Sequence, residues 1–210
     1  MIDPKTDPHS LSDLPLFPLH SVLFPGARLQ LRVFEARYLD LVSRCLREQQ
    51  AFGAICLRQG SEVRGDEPVL LESTGVLARI EEVDAEQAGV LRVRCLGEQR
   101  FEIDEPVQQA DGLWSARAWL IDDDAVLAPP EAMVATVRAL ANAIGALERK
   151  GGSPFPQPYR FDDAGWVANR WCELLPISLA AKQKLMALED PQMRLRLVDE
   201  YLRGKGVISA

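Results

Sequence analysis

The sequence predicts an α+β chain, with a partly closed, antiparallel β-barrel lobe holding one early helix, then a C-terminal α-helical bundle lobe. Three observations lead there. Short alternating apolar segments bounded by turn residues run from Leu14 to Ile121. Within them, one stretch after Phe34 changes to the helical period. Beyond Asp122-Asp123-Asp124 every remaining apolar pattern is helical.

Leu14 to Leu19 reads as an extended edge segment, because Pro15 and Pro18 cannot donate ladder hydrogen bonds and exclude a helix interior. Pro25-Gly26 supplies a turn dipeptide. From Arg28 to Val33 the alternation is strict, with Leu29, Leu31 and Val33 on one face and Arg28, Gln30 and Arg32 on the other. Tyr38, Leu41, Val42, Cys45 and Leu46 then fall on one helical stripe that reaches about Gln50. Glu35 near its start and Arg44 and Arg47 near its end complement the helix dipole.

Phe52 to Leu57 is the next strand, and the polar run GSEVRGDEP leaves the core. Gly75–Val83, Val90–Cys95 and Arg100–Ile103 read as an antiparallel meander with turns at DAEQAG and GEQ, and Trp114–Ile121 closes the β region. Seven short strands of this kind favour a partly closed barrel. In the second half, Pro129-Pro130 opens a helix reaching about Lys150, and GGSPFPQPYR is a linker. Helices follow over Asp163–Leu175, Leu179–Leu188 and Pro191–Gly204. The expected organisation is a disordered leader over 1–13, the barrel lobe over 14–121 and the helical lobe over 122–210.

With 47% hydrophobic and 26% charged residues the chain can bury a core. A net charge of −7, with acidic residues outnumbering basic ones on both sides of Ile121, disfavours nucleic acid. The opening MIDPKTDPHSLSD has no signal-peptide core and no later window is a membrane span, so the expected setting is cytoplasmic, without membrane partners. Cys45, Cys56, Cys95 and Cys172 are widely spaced in apolar patterns and read as packed thiols. With only His9 and His20 available, a histidine-based metal site or triad has little to draw on.

The stretch LPLFPLHSVLFPGARLQLRVFEARY, from Leu14 to Tyr38, resembles the opening of the Lon protease N-terminal domain family, also seen in the Lon-like domain of cereblon. The likeness continues through FGAICLRQG, GVLARIEEV, LRVRCLGEQRFEI and WCELLPISLAAKQKLMALED, and covers Leu14 to about Gly204. It implies a PUA-like barrel joined to a helical bundle, and a role in recognising unfolded or damaged polypeptide. The chain carries no Walker A: Asp199 and Gly206 stand where G-x-x-x-x-G-K-S/T needs glycine and Ser or Thr around Gly204-Lys205. The zinc cysteines of cereblon's ligand-binding domain are also missing. What the resemblance implies is thus a stand-alone, ATP-independent recognition module, a protease adaptor or unfolded-protein binder, with no catalytic residues, metal or cofactor.

Several residue sets invite chemistry. Ser178 and Lys182 have the helical spacing of a Ser-Lys dyad, the basis of an alternative small-hydrolase reading. Ser178 also sits after Leu175-Pro176-Ile177 where a helix N-cap is expected, and that reading is favoured. Asp122 to Asp124 is a solvated connector rather than a cation site, and Asp162 or Asp163 caps the following helix. Arg92, Arg94 and Arg100, with Arg79, could line an RNA-binding sheet face, but Phe101, the sole aromatic there, alternates into the core. An ion-paired surface is the favoured reading.

The expected peptide-binding set is Glu35, Arg37, Tyr38, Asp40, Trp114 and Trp119. The favoured reading of Glu35, Arg37 and Tyr38 is architectural, Glu35 and Tyr38 docking the helix start on the sheet and Arg37 forming an ion pair; the functional alternative is that the exposed part of this helix start, with Arg37 and Asp40, borders a groove that holds a peptide. Trp114 and Trp119 lie an odd number of positions apart and so point to opposite strand faces, which leaves at least one outside the barrel core. Large rigid aromatics suit capture of apolar polypeptide or of a partner protein. The expected mechanism is an apolar groove, on or between the lobes, rimmed by charge.

Overall fold

The computed structural model describes residues 9–62, 68–152 and 155–208. The chain divides into two compact units, Met1–Asp123 and Asp124–Ala210. The first contains β1 (Ser10–Leu19), β2 (Arg28–Val33), α1 (Ala36–Glu48), β3 (Phe52–Gln59), β4 (Leu70–Gln87), β5 (Val90–Gln108) and β6 (Trp114–Leu120). The strand order is β2-β5-β4-β3-β1-β6, and β6 pairs with β5 as well. The pairing circuit through β5, β4, β3, β1 and β6 therefore returns on itself, with β2 appended to β5.

β2 occupies the span its alternation predicts, and every residue from Arg28 to Val33 pairs with β5. β1 departs from expectation in three ways. Its ladder begins at Ser10, so residues 10–13 belong to a strand and not to a leader; residues 1–8 lie outside the described residues. It is an interior strand, antiparallel to β6 and parallel to β3, so the sheet is not purely antiparallel. The prolines tolerate this because β1 changes partner midway: the ladder to β6 ends at Leu16, where the ladder to β3 begins. Pro15 and Pro18 lie three positions apart, their ring nitrogens face opposite flanks, and neither has to donate where its flank lacks a ladder.

The two strands expected over Val90–Cys95 and Arg100–Ile103 are one continuous β5, so the described residues form six strands where seven were expected. Gly97 bridges them. A Cβ there would stand 2.5 Å from the Phe24 carbonyl, so the chain passes this point extended, against the turn before β2, rather than reversing. The real reversal between β4 and β5 is Ala88-Gly89, with Gly89 at φ +76°. The polar run after β3 falls largely on residues 63–67, outside the described residues.

Leu14, Leu16, Ile55, Phe101, Ala116 and Ala118 form the core cluster of this unit. α1 buries Tyr38, Leu41, Val42 and Cys45 as its stripe predicts, but Leu46 is 50% exposed. Gln49 closes the helix in the left-handed region, φ 54°, donating its N–H to the Cys45 carbonyl.

In the second unit a short 3-10 turn, Glu131–Met133, leads into α2 (Val134–Glu148), followed by α3 (Ala164–Leu174), α4 (Leu179–Ala187) and α5 (Pro191–Gly204). Each of the last three has an oxygen cap: Asp163 accepts from the Gly165 and Trp166 amides, Ser178 from Ala181, and Asp190 from Gln192 and Met193. Leu140, Ile144, Val167, Trp171, Cys172, Met186, Leu195, Val198 and Leu202 are buried. Asp124, expected as part of a solvated connector, instead pairs with the fully buried Arg194, Nη1 to Oδ2 2.5 Å. Among the described residues no helix is long and apolar enough to cross a membrane.

Candidate functional site

A groove of about 300 Å³ lies in the first unit along β2. The apolar residues lining it are Phe17 and Leu19 from β1, Leu29, Leu31 and Val33 from β2, then Phe34 and Tyr38. Gln30 and Arg32 line it too. Side chains of a strand alternate between faces, so five consecutive lining residues mean that β2 presents its edge, main chain included, to the groove. Phe34, between strand and helix, is 51% exposed and leaves a large apolar surface in water at the rim.

The floor is aromatic. Tyr38 stacks on Phe17 and Phe17 leans on Phe52, with ring centroids 4.0 Å and 5.9 Å apart. The Arg37 guanidinium carbon sits 4.6 Å from the Tyr38 ring centroid. Arg37 is itself buried: Nη1 donates to the Gly112 carbonyl at 2.7 Å, and Nη2 pairs with the Glu35 carboxylate at 3.0 Å and reaches the Glu62 carbonyl at 3.3 Å. Burial pushes the Tyr38 hydroxyl up to about 12, the Arg37 charge pulling the other way, so the phenol stays neutral.

The expected site residues divide. Glu35 and Tyr38 line the groove, and Arg37 joins them from beneath, tying α1 to the Gly112 turn. Asp40 is exposed further along α1, outside the lining. Trp114 and Trp119 on β6 do not line it either. They occupy opposite faces of β6: Trp114 packs against the core cluster, while Arg117 lies 5.2 Å from the ring centroid of Trp119. Leu29, Leu31, Phe34 and Glu62 line the groove without belonging to the expected site set. The signal for Phe34 is an apolar residue stranded where the strand period stops and the helical one has not begun.

Other candidates have other occupations. Ser178 Oγ accepts from the Ala181 amide at 3.2 Å as a helix cap, and Lys182 Nζ donates to the Glu173 carbonyl at 3.0 Å. Among the arginines proposed for a nucleic-acid face, Arg79 pairs with Glu98 at 2.5 Å, Arg92 with Glu86 at 3.8 Å, and Arg94 with Glu81 at 3.9 Å and with Glu82. Arg100 is buried and leaves that face altogether. The four cysteines are free and buried, and burial pushes Cys56 up to about 11 and Cys95 and Cys172 up to about 12, consistent with packed, unreactive thiols.

Comparison with known proteins bears on the whole chain. The crystal structure of a Lon N-terminal domain protein from Xanthomonas campestris superposes with a TM-score of 0.73 at 32% identity, covering 91% of this chain and 99% of that one. The N-terminal domain of a Mycobacterium avium complex Lon protease shares the fold, with a TM-score of 0.61 at 16% identity over 90% of this chain and 97% of that one. A Lon protease of Parabacteroides distasonis is 26% identical over 188 residues, which make up 86% of this chain and 22% of that protein. The chain thus spans about a fifth of the curated relative's length. The family model for the substrate-binding domain of ATP-dependent protease La (LON) matches residues 13–204. With nearly the whole length matched, the chain belongs to the LON substrate-binding domain family.

Proposed function

We propose that this chain is a non-enzymatic recognition module that captures exposed apolar segments of unfolded polypeptide in the groove beside β2. The observation that carries the reading is the groove itself: a trough of mixed lining on a stacked Phe17–Tyr38 floor, with apolar Leu29 and Leu31 along it and Phe34 half exposed at its rim. Such a surface gains by burying apolar area, about 25 cal/mol per Å². The continuous pairing circuit through β5 and β6 supports reading the first unit as a PUA-like, partly closed barrel. Membership of a substrate-binding domain family supports polypeptide as the ligand, and delivery of the captured segment to a protease is the role we extend from it.

The test is titration of the purified chain with a fluorescent, reduced and alkylated polypeptide, followed by anisotropy. Saturable binding that persists at high salt is expected, because apolar burial is not screened. Absence of binding, or binding abolished by salt, contradicts the proposal.

A further inference from the structure

Within the described residues β2 is a terminal strand, paired with β5 alone. The direction of its main-chain groups follows from the turn before it. The Ala27 carbonyl accepts from the Gly97 amide at 2.8 Å, so Ala27 faces β5. Alternation then turns Leu29, Leu31 and Val33 toward β5 and leaves the N–H and C=O groups of Arg28, Gln30 and Arg32 along the edge that borders the groove.

A row of donors and acceptors repeating every second residue, about 6.6–6.8 Å apart, is matched by one kind of ligand, an extended polypeptide backbone. A helix has satisfied these groups internally. The charges at the rim narrow the ligand further. Glu35 is paired with Arg37 at 3.0 Å and Arg32 with Glu86 at 3.3 Å, which leaves the Glu62 carboxylate, held by the His20 amide, as the lining charge facing no cation among the described residues.

We propose, building on the polypeptide-capture reading above, that the bound segment adds to β2 as a further strand. It takes hydrogen bonds from the main chain of Arg28, Gln30 and Arg32, lays alternate apolar side chains over Phe17 and Phe34, and places a Lys or Arg toward Glu62. Sequence selectivity is then loose, since the backbone supplies the common contact and only side-chain alternation and one positive charge are read.

The experiment uses the full chain and a labelled ten-residue peptide of alternating Val and Thr with one Lys. The peptide is made unmodified, N-methylated at odd positions and N-methylated at even positions. The unmodified form binds saturably, one methylation pattern weakens binding at least about tenfold, and the other leaves it within about threefold. On the protein side, Gln30→Pro removes one outward amide without touching the β5 ladder, and is expected to weaken the unmodified peptide while keeping the thermal midpoint near that of the parent. Equal effects of the two methylation patterns, whether both harmless or both disabling, overturn strand addition. So does failure of the peptide to bind while the alkylated polypeptide still does. Loss of alkylated-polypeptide binding to the unsubstituted chain would instead remove the parent reading.

Discussion

Phe17 of β1 and Tyr38 of α1 stack nearly parallel, their ring centroids 4.0 Å apart and their planes inclined by 18°. This contact joins the helix start to β1 at the floor of the groove beside β2. Arg37 covers the same tyrosine and anchors to Gly112, so the aromatic floor is held by a hydrogen-bonded cation.

A double-mutant cycle of Phe17→Leu and Tyr38→Leu, read by denaturant unfolding, should show a coupling of about 0.5–1.5 kcal/mol beyond the two single losses. Because the Tyr38 pKa is raised to about 12, the stabilisation tied to its neutral form is complete below pH 10 and is lost as pH rises through 12. Ultraviolet titration should accordingly show one tyrosine ionising later than an ordinary phenol.

Gly97→Ala should damage the first unit out of proportion to its size. The new Cβ would meet the Phe24 carbonyl at 2.5 Å and the Leu23 side chain at 3.0 Å, in backbone that cannot retreat without moving the turn before β2. A loss of about 1–3 kcal/mol is expected, with weaker polypeptide binding in the fraction that stays folded.

In the second unit Arg194 gathers the Leu185 carbonyl at 2.8 Å, the Asn169 side chain at 3.1 Å, the Leu188 carbonyl and the Asp124 carboxylate. Arg194→Met leaves buried acceptors without their donor. The expected cost is about 3–5 kcal/mol, seen as a lowered thermal midpoint.

Asp199 sets an acid limit on the same unit. Burial acts to raise its pKa, and hydrogen bonds from Arg203, Nε to Oδ2 2.7 Å, and from Thr136 outweigh burial and hold it below the usual carboxylate value. Its contribution is present above the ordinary value near 4 and disappears as pH falls through the folded value. Asp199→Asn should cost about 1.5–3 kcal/mol at pH 7 and flatten the stability profile below pH 4.

At the groove, Phe34→Ser removes surface that is already half in water, so the fold should lose no more than about 0.5 kcal/mol. Polypeptide binding should fall about 5- to 30-fold, the loss of an apolar anchor worth about 1–2 kcal/mol. A parallel stability measurement separates the two effects.

The parts of this fold that were legible are those decided locally. The alternation Leu29, Leu31, Val33 marks β2 to the residue, and Asp190-Pro191 marks the start of α5, since a cap and a proline at the first turn are short-range chemistry. Strand partnership is not short-range. Nothing in Leu14 to Leu19 states that β1 changes from β6 to β3 at Leu16, and that exchange is what admits two prolines into an interior strand. The same limit governs the site. Glu35 and Tyr38 stand out as polar groups at a helix start, whereas Leu29 and Leu31 look like core residues until β2 proves terminal and its edge borders a groove.

The most direct measurement is amide chemical-shift mapping of the isotope-labelled chain titrated with the alkylated polypeptide. Shifts concentrated on residues 28–35 and Tyr38, saturating with the anisotropy curve, are the predicted result. Saturable binding that leaves those amides unmoved and perturbs a different surface would contradict the assignment of the β2 groove as the polypeptide site.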